Sequence, residues 1–511
     1  VLLQGKREKG QGKSTEGSSL FGRFLLPFSV CLLPFVLLCT LNSAGYRYGA
    51  SDLAFYIPAA LEKLDPALFP RDGALIASQA RLTMIDETIW LLSRVTGLGL
   101  PLLFATLYAT TLALLLAATL LVGRMLYRGR WATLALAAAV TLRHAIAKSG
   151  TNTLEGYFHP RQLAFSLGLL AVVALMRRRI LVSVALVFAG GLLHPTTALW
   201  FAIWIAVAWS VNEPQWRGRV AIVAAIAALA GAWMLVGGPL EGRLVRMDSE
   251  WLATLETKDY LFPLEWPAYV WLINLVYAPT IILIYRRRRD AGLLAAGERG
   301  VVWGCLSLLA VFALALPFNA ARLAIVIQLQ IPRVFWMLDF LAIAYLVWII
   351  AEGVQGSMRR ARIAFFVIAL ASLTRCGYIK FIRFPDRPIA EITVPDNDWG
   401  RVMAWARSTP RDSGWLAHPG HAVQYGTSLR VAGERDVFVE GIKDAAIGMY
   451  DRDVAMRTRD RLAELQDFDT LTPERAKKLA ERYRLNFLVT TQQLDLPVAY
   501  SSGPLVVYRL R

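Results

Sequence analysis

The apolar run FLLPFSVCLLPFVLLCTL, residues 24–41, is followed closely by YRYGASDLAFYIPAA, residues 46–60. The first stretch is long and uncharged enough to enter a bilayer, which takes about 20 apolar residues in a helix. The second stretch places a lone carboxylate, Asp52, just beyond it among Tyr46, Tyr48, Phe55 and Tyr56. A membrane helix would exclude that charge and an ordinary loop would not need the aromatics. Two readings fit: Ser51-Asp52 caps the start of an interfacial helix, or Asp52 is a general base acting on an acceptor hydroxyl at the membrane surface.

Working outward, windows like the first recur along the chain. Of its 511 residues, 56% are hydrophobic, and the mean hydropathy is +0.45. Apolar segments fall near 24–43, 101–123, 131–147, 160–176, 180–194, 196–211, 220–237, 268–285, 300–316, 334–351 and 363–379, about eleven in all. This pattern predicts a polytopic membrane protein. The formal net charge is +17, which in a soluble protein would point to nucleic acid. Here the basic residues gather in short loops: GRMLYRGR, Arg177–Arg179, WRGR, RRRRD and MRRAR. With the N-terminus in the cytoplasm, all five fall on the cytoplasmic side, as the positive-inside rule requires. Nucleic acid is therefore not an expected partner, and no zinc-finger or RNA-binding signature is seen. Cys31, Cys39, Cys305 and Cys376 lie in or beside apolar segments without CxxC spacing, so neither a disulfide framework nor a thiolate metal site is expected. The polar stretch 1–20 reads as a disordered, basic cytoplasmic tail. Its GQGKST lacks the spacing and the preceding strand of a phosphate-binding loop.

That parity puts four features outside: a long first loop, 44–100; the loop 143–162; a loop near 238–267; and the tail, 381–511. The tail changes composition. VPDNDWGRVMAWARSTP reads as a capped helix with a proline exit, ERAKKLAERY as a helix, and NFLVTT and PLVVYRL as strands. The fold expected is thus an all-α polytopic membrane bundle spanning 21–380, with a small C-terminal extracytoplasmic α/β domain.

The same parity gathers the candidate chemistry on the outer face. His159-Pro160 and His194-Pro195 flank the short fourth and fifth segments. Either each proline opens a helix with histidine as its boundary, or His159, His194 and Glu155 form a metal or phosphate site. HxxxH-type spacing is absent, so hydrogen bonding to a phosphate or sugar is the better functional reading. Arg161, Arg322 and Arg333 are arginines on the disfavoured side. They either hold a phosphate or snorkel to headgroups. Asp339 lies inside a segment, with Arg333 a candidate partner. Glu62, Asp65 and Asp72 read as a solvated face. Asp86 and Glu87 form an acidic pair, a weak candidate for a divalent cation.

Together, the layout and YGASDLAFYIPA resemble the GT-C superfamily of membrane glycosyltransferases. GYFHPRQLAF, GLLHPTTALWF and WARSTPRDSGWLAHP resemble a group of uncharacterised bacterial polytopic membrane proteins with the same layout. The resemblance implies a bacterial inner-membrane transferase that moves a sugar from a polyprenyl-phosphate donor to an unknown acceptor at the outer leaflet. It makes Asp52 the catalytic base. It gives donor binding to Arg322 and Arg333, joined by Arg161 and His159; His194, Glu155 and the sugar-stacking aromatic Tyr56 are substrate-binding candidates from their residue chemistry. It leaves a divalent cation possible and membrane lipids as the surroundings. The alternatives are a transporter or flippase of a lipid-linked or anionic substrate, and a non-catalytic membrane assembly factor.

Overall fold

A computed structural model describes residues 32–511; the readings for 1–20, Cys31 and the start of the first segment lie outside the described residues. The chain is a helical membrane bundle with a small sheet region at its C-terminus. After α1 (Leu32–Asn42), the first loop is itself helical: α2 (Leu53–Leu64), α3 (Gly73–Ala80) and α4 (Ile85–Thr96). The bundle continues with α5 (Leu100–Leu126), α6 (Arg130–Val140), α7 (Pro160–Met176), α8 (Ile180–Leu193), α9 (Pro195–Asn212) and α10 (Arg217–Gly237). After the short α11 (Ser249–Thr254), it resumes in α12 (Ala268–Leu275), α13 (Tyr277–Asp290) and α14 (Glu298–Ala320). The short α15 (Ala324–Gln328), then α16 (Val334–Ala351) and α17 (Met358–Gly377), complete it.

Each of the eleven apolar segments corresponds to helix among the described residues, but six helices are long and apolar enough to cross a membrane. The segment read as 131–147 stops at Val140. A hairpin of β2 and β3 (Ala145–Ile146 and Thr151–Asn152) takes over there, following β1 at Tyr46–Arg47.

Small residues let the helices meet. A Cβ on Gly300 would lie 2.2 Å from the carbonyl oxygen of Ala208, and one on Gly304 2.3 Å from that of Trp204. The Gly300/Gly304 face of α14 thus admits the backbone of α9, the close approach that small-residue spacing allows in membranes. At the end of the bundle carrying the basic loops, Arg288 is fully buried and bonds Glu298 at 2.7 Å and the Leu126 carbonyl at 3.0 Å.

The tail opens with β4 (Ala390–Glu391), which pairs in parallel with β1, so the tail is fastened to the first loop from its start. It continues with α18 (Asp398–Ala406), capped by Asn397, β5 (Gly414–Ala417), α19 (His421–Gln424), α20 (Leu429–Ala432) and β6 (Asp436–Val437). Then come α21 (Gly441–Gly448), α22 (Arg452–Glu464), α23 (Pro473–Tyr483), β7 (Phe487–Thr490), β8 (Val498–Ser502) and β9 (Leu505–Arg509). The sheet order is β6-β5-β7-β9-β8, parallel on one side and antiparallel on the other.

The first-loop acid read as solvent-facing is instead the bolt between loop and tail. Asp72 is 1% exposed. It accepts from Arg430 Nε at 2.7 Å, from Arg457, and from the Val437 amide at 3.2 Å. Arg430 in turn grips Asp444 at 2.6 and 3.0 Å. Asp436 accepts from the amides of Arg71 and Asp72 at 3.2 and 3.0 Å. Sequence pattern cannot reveal this burial, because the partner lies more than 350 residues away.

Candidate functional site

A cavity of about 350 Å³ opens where bundle, first loop and tail meet. All four features assigned to one side supply its walls: Asp52 from the first loop, His159 from the second, Arg243 and Tyr260 from the third, and Tyr450 from the tail. Tyr56, His194 and Arg333 also line it.

Asp52 reaches the cavity through a turn in which Gly49 (φ 75°) and Ser51 (φ 53°) are left-handed. Gly49 is needed there: a Cβ would lie 2.9 Å from Val431 of α20. Asp52 occupies the residue before α2 but makes no capping bond. Its Oδ2 instead lies 3.3 Å from His159 Nε2 and 3.4 Å from the Tyr157 hydroxyl. Its Oδ1 accepts from Lys443 Nζ at 2.8 Å. Burial alone would raise the carboxyl. The Lys443 ammonium and the His159 bond outweigh that and hold it well below the usual carboxylate range.

The two His-Pro pairs share one construction. Each proline is the first residue of its helix and each histidine is the cap. His159 Nδ1 accepts from the Arg161 amide at 3.1 Å. His194 Nδ1 faces the Thr197 amide at 3.3 Å and its hydroxyl at 3.0 Å. A ring whose Nδ1 accepts must carry its proton on Nε2 when neutral. Burial first, then Arg161, pushes His159 down to about 3. Burial and then Arg333 hold His194 well below its ordinary value. Both rings are therefore neutral Nε2–H donors. His159 donates to Asp52 and His194 turns toward the cavity, the ring centroids 6.1 Å apart. Tyr56 packs edge-on against His159 at 5.8 Å.

Arg333 is 9% exposed, its Nε is buried without a partner, and its guanidinium forms no ion pair among the described residues. Gln330, left-handed at φ 52°, donates to the Tyr450 hydroxyl at 3.1 Å, which ties this corner to the tail.

Several expected site residues lie elsewhere. Arg322 is not at the cavity: it pairs with Glu265 and stacks on Phe262. Glu155 and Arg161 bond each other at 3.1 Å, and neither lines the cavity. Asp339 does not pair with Arg333; both its oxygens lie 3.1 Å from His144 Nε2. Asp86 and Glu87 sit beside Lys63, 3.8 and 2.8 Å away, off the cavity. No group of three or more His, Cys, Asp or Glu among the described residues is placed to hold a metal.

Lys443, Tyr450 and Arg243 were not singled out from sequence. Arg243 carried a usable signal, since the argument that picked Arg333 applies to any arginine in that third loop. Lys443 carried none. No family model and no curated protein matches the chain.

Proposed function

We propose that the chain is a GT-C-type membrane glycosyltransferase, taking a sugar from a polyprenyl-phosphate donor to an acceptor hydroxyl at the outer leaflet of a bacterial inner membrane. The observation carrying this reading is that an ionised carboxylate, Asp52, and a buried arginine without an ion-pair partner, Arg333, line one cavity. A buried unpaired cation is costly, and an anionic ligand relieves that cost. Arginine suits phosphate through its fork of donors.

In this reading the acceptor oxygen bonds to the anomeric carbon as the bond from that carbon to the phosphate oxygen breaks. The electron pair leaves with the phosphate, where Arg333 and His194 Nε2–H neutralise it. The acceptor proton passes to Asp52, which His159 orients. Lys443 must give up its bond to Oδ1 for that oxygen to receive the proton. Apolar residues at the cavity wall, Met234, Leu240 and Leu329, suit the first isoprene units. In this reading the tail, on the same side, is extracytoplasmic and caps the site.

The test is sugar transfer from a defined polyprenyl-phosphate sugar in proteoliposomes. Asp52→Asn should abolish transfer while leaving donor binding intact, and near-normal transfer by that variant sinks the proposal. Substrate flux without transfer would favour a transporter.

A further inference from the structure

The cavity holds a second buried cation, away from the Asp52 corner. Arg243 is 6% exposed, and its position is set by backbone. Residues 243–247 run antiparallel to 322–325, with the Ile325 amide bonding the Arg243 carbonyl at 3.1 Å, the Ala324 amide that of Val245 at 2.9 Å, and the Met247 amide that of Arg322 at 2.9 Å. The guanidinium is held from one side only: Nη1 donates to Gln328 Oε1 at 2.6 Å, while Nη2 is buried without a partner. Gln328 is itself fixed by the Met449 carbonyl of the tail at 3.1 Å. Arg243 makes no ion pair among the described residues. Thr83, on the same cavity, also has a buried hydroxyl without a partner. Arg81 stands at the rim, 3.5 Å from Asp451.

A guanidinium fixed by Gln328 but with an open donor, and an unpaired hydroxyl, form the donor set of an oxyanion site. Leaving such groups buried and unmatched is costly. We propose that Arg243, with Thr83 and Arg81, is a second anion subsite that takes a phosphoryl group distinct from the one at Arg333. That group is either the second phosphoryl of the same lipid-linked ligand or the phosphate of a separate one. The inference shares a cavity with the transferase reading but rests on Arg243, not on Asp52 or Arg333.

The experiment titrates farnesyl phosphate, farnesyl diphosphate and inorganic phosphate into the purified full chain in nanodiscs, comparing wild type, Arg243→Gln and Arg333→Gln. If one ligand supplies both groups, wild type binds the diphosphate about tenfold tighter than the monophosphate or better, and Arg243→Gln removes that advantage. If the ligands are separate, wild type binds inorganic phosphate together with farnesyl phosphate, and Arg243→Gln loses only the former. Should Arg243→Gln fail to fold, Arg243→Lys and Thr83→Val take its place, each expected to weaken the same term. Unchanged affinity for all three probes in the Arg243 and Thr83 variants, with farnesyl phosphate lost in Arg333→Gln, overturns the second subsite and leaves the donor reading standing. Weakening by Arg243→Gln with no effect of Arg333→Gln keeps the subsite and removes the donor reading. Wild type that binds none of the probes overturns both.

Discussion

Asp52 is shared between a ring from the bundle and an ammonium from the tail, and the two partners act differently. His159 orients it and helps to lower it, but cannot pass its proton on, because the ring's Nδ1 is committed to the Arg161 amide. Lys443 is the larger of the two lowering influences. With that ammonium in place the carboxyl stays ionised well below pH 4, so the acid limb of a transfer profile should lie below the ordinary carboxylate range. Lys443→Met removes the largest lowering influence and leaves burial, which raises the carboxyl, opposed only by the His159 bond. The acid limb should then move to higher pH, and an unmoved limb in a pH–rate profile would show that Lys443 does not tune the base. The linked stability has the same sign. A depressed carboxyl contributes stability that is complete above its unfolded value of about 3.9 and lost as pH falls through the folded one.

At the scale of elements, the His-Pro pairs show how much local sequence can dictate. Proline fixes the first helical residue and removes an unneeded donor. That leaves histidine at the cap, and capping fixes the tautomer. Both pairs could be read as helix starts from sequence; that their free Nε2–H groups meet one cavity could not. The α9–α14 contact makes a separate prediction. The atoms nearest a new Cβ at Gly304 include the Trp204 carbonyl oxygen, which is backbone and cannot swing away. Gly304→Val should cost about 1–3 kcal/mol or more by overpacking, read as a lower thermal midpoint in detergent. A midpoint equal to wild type would mean that the helices separate without cost. The shortened third segment has a comparable cause. Beyond Val140 the chain carries Arg143, His144 and Lys148, whose side chains find the Leu154 carbonyl, Asp339 and Asp259 where the backbone has left the helix.

Across the whole molecule, the tail is bolted to the first loop and so forms part of the cavity wall. Burial raises the Asp72 carboxyl, but Arg430 and then Arg457 bring it down to about 2. The bolt should therefore hold at any pH above the usual carboxylate range and weaken as pH falls toward 2. Asp72→Asn leaves Arg430 and Arg457 without this charge. Breaking a buried pair from one side costs about 3–5 kcal/mol. The tail should then become sensitive to limited proteolysis while the bundle stays intact, and a protected tail in that variant would contradict the docking role. A reporter fused after Arg511 should be active only outside the cytoplasm, since cavity, tail and first loop share one end of the bundle and the basic loops crowd the other.

Hydropathy and turn chemistry indicated a helical membrane bundle and the two His-Pro helix starts, and the Lys/Arg bias grouped Asp52, His159, His194 and Arg333 with the loops of one end. These are short-range or additive properties, written in windows of about twenty residues. Only the tertiary structure decided which of those residues meet. It sent Arg322 to Glu265 and Asp339 to His144, buried Asp72 under the tail, and brought Lys443 across 391 positions to Asp52. Such pairings depend on how separate elements pack, and a single chain read along its length carries no periodic signal for a partner so far away.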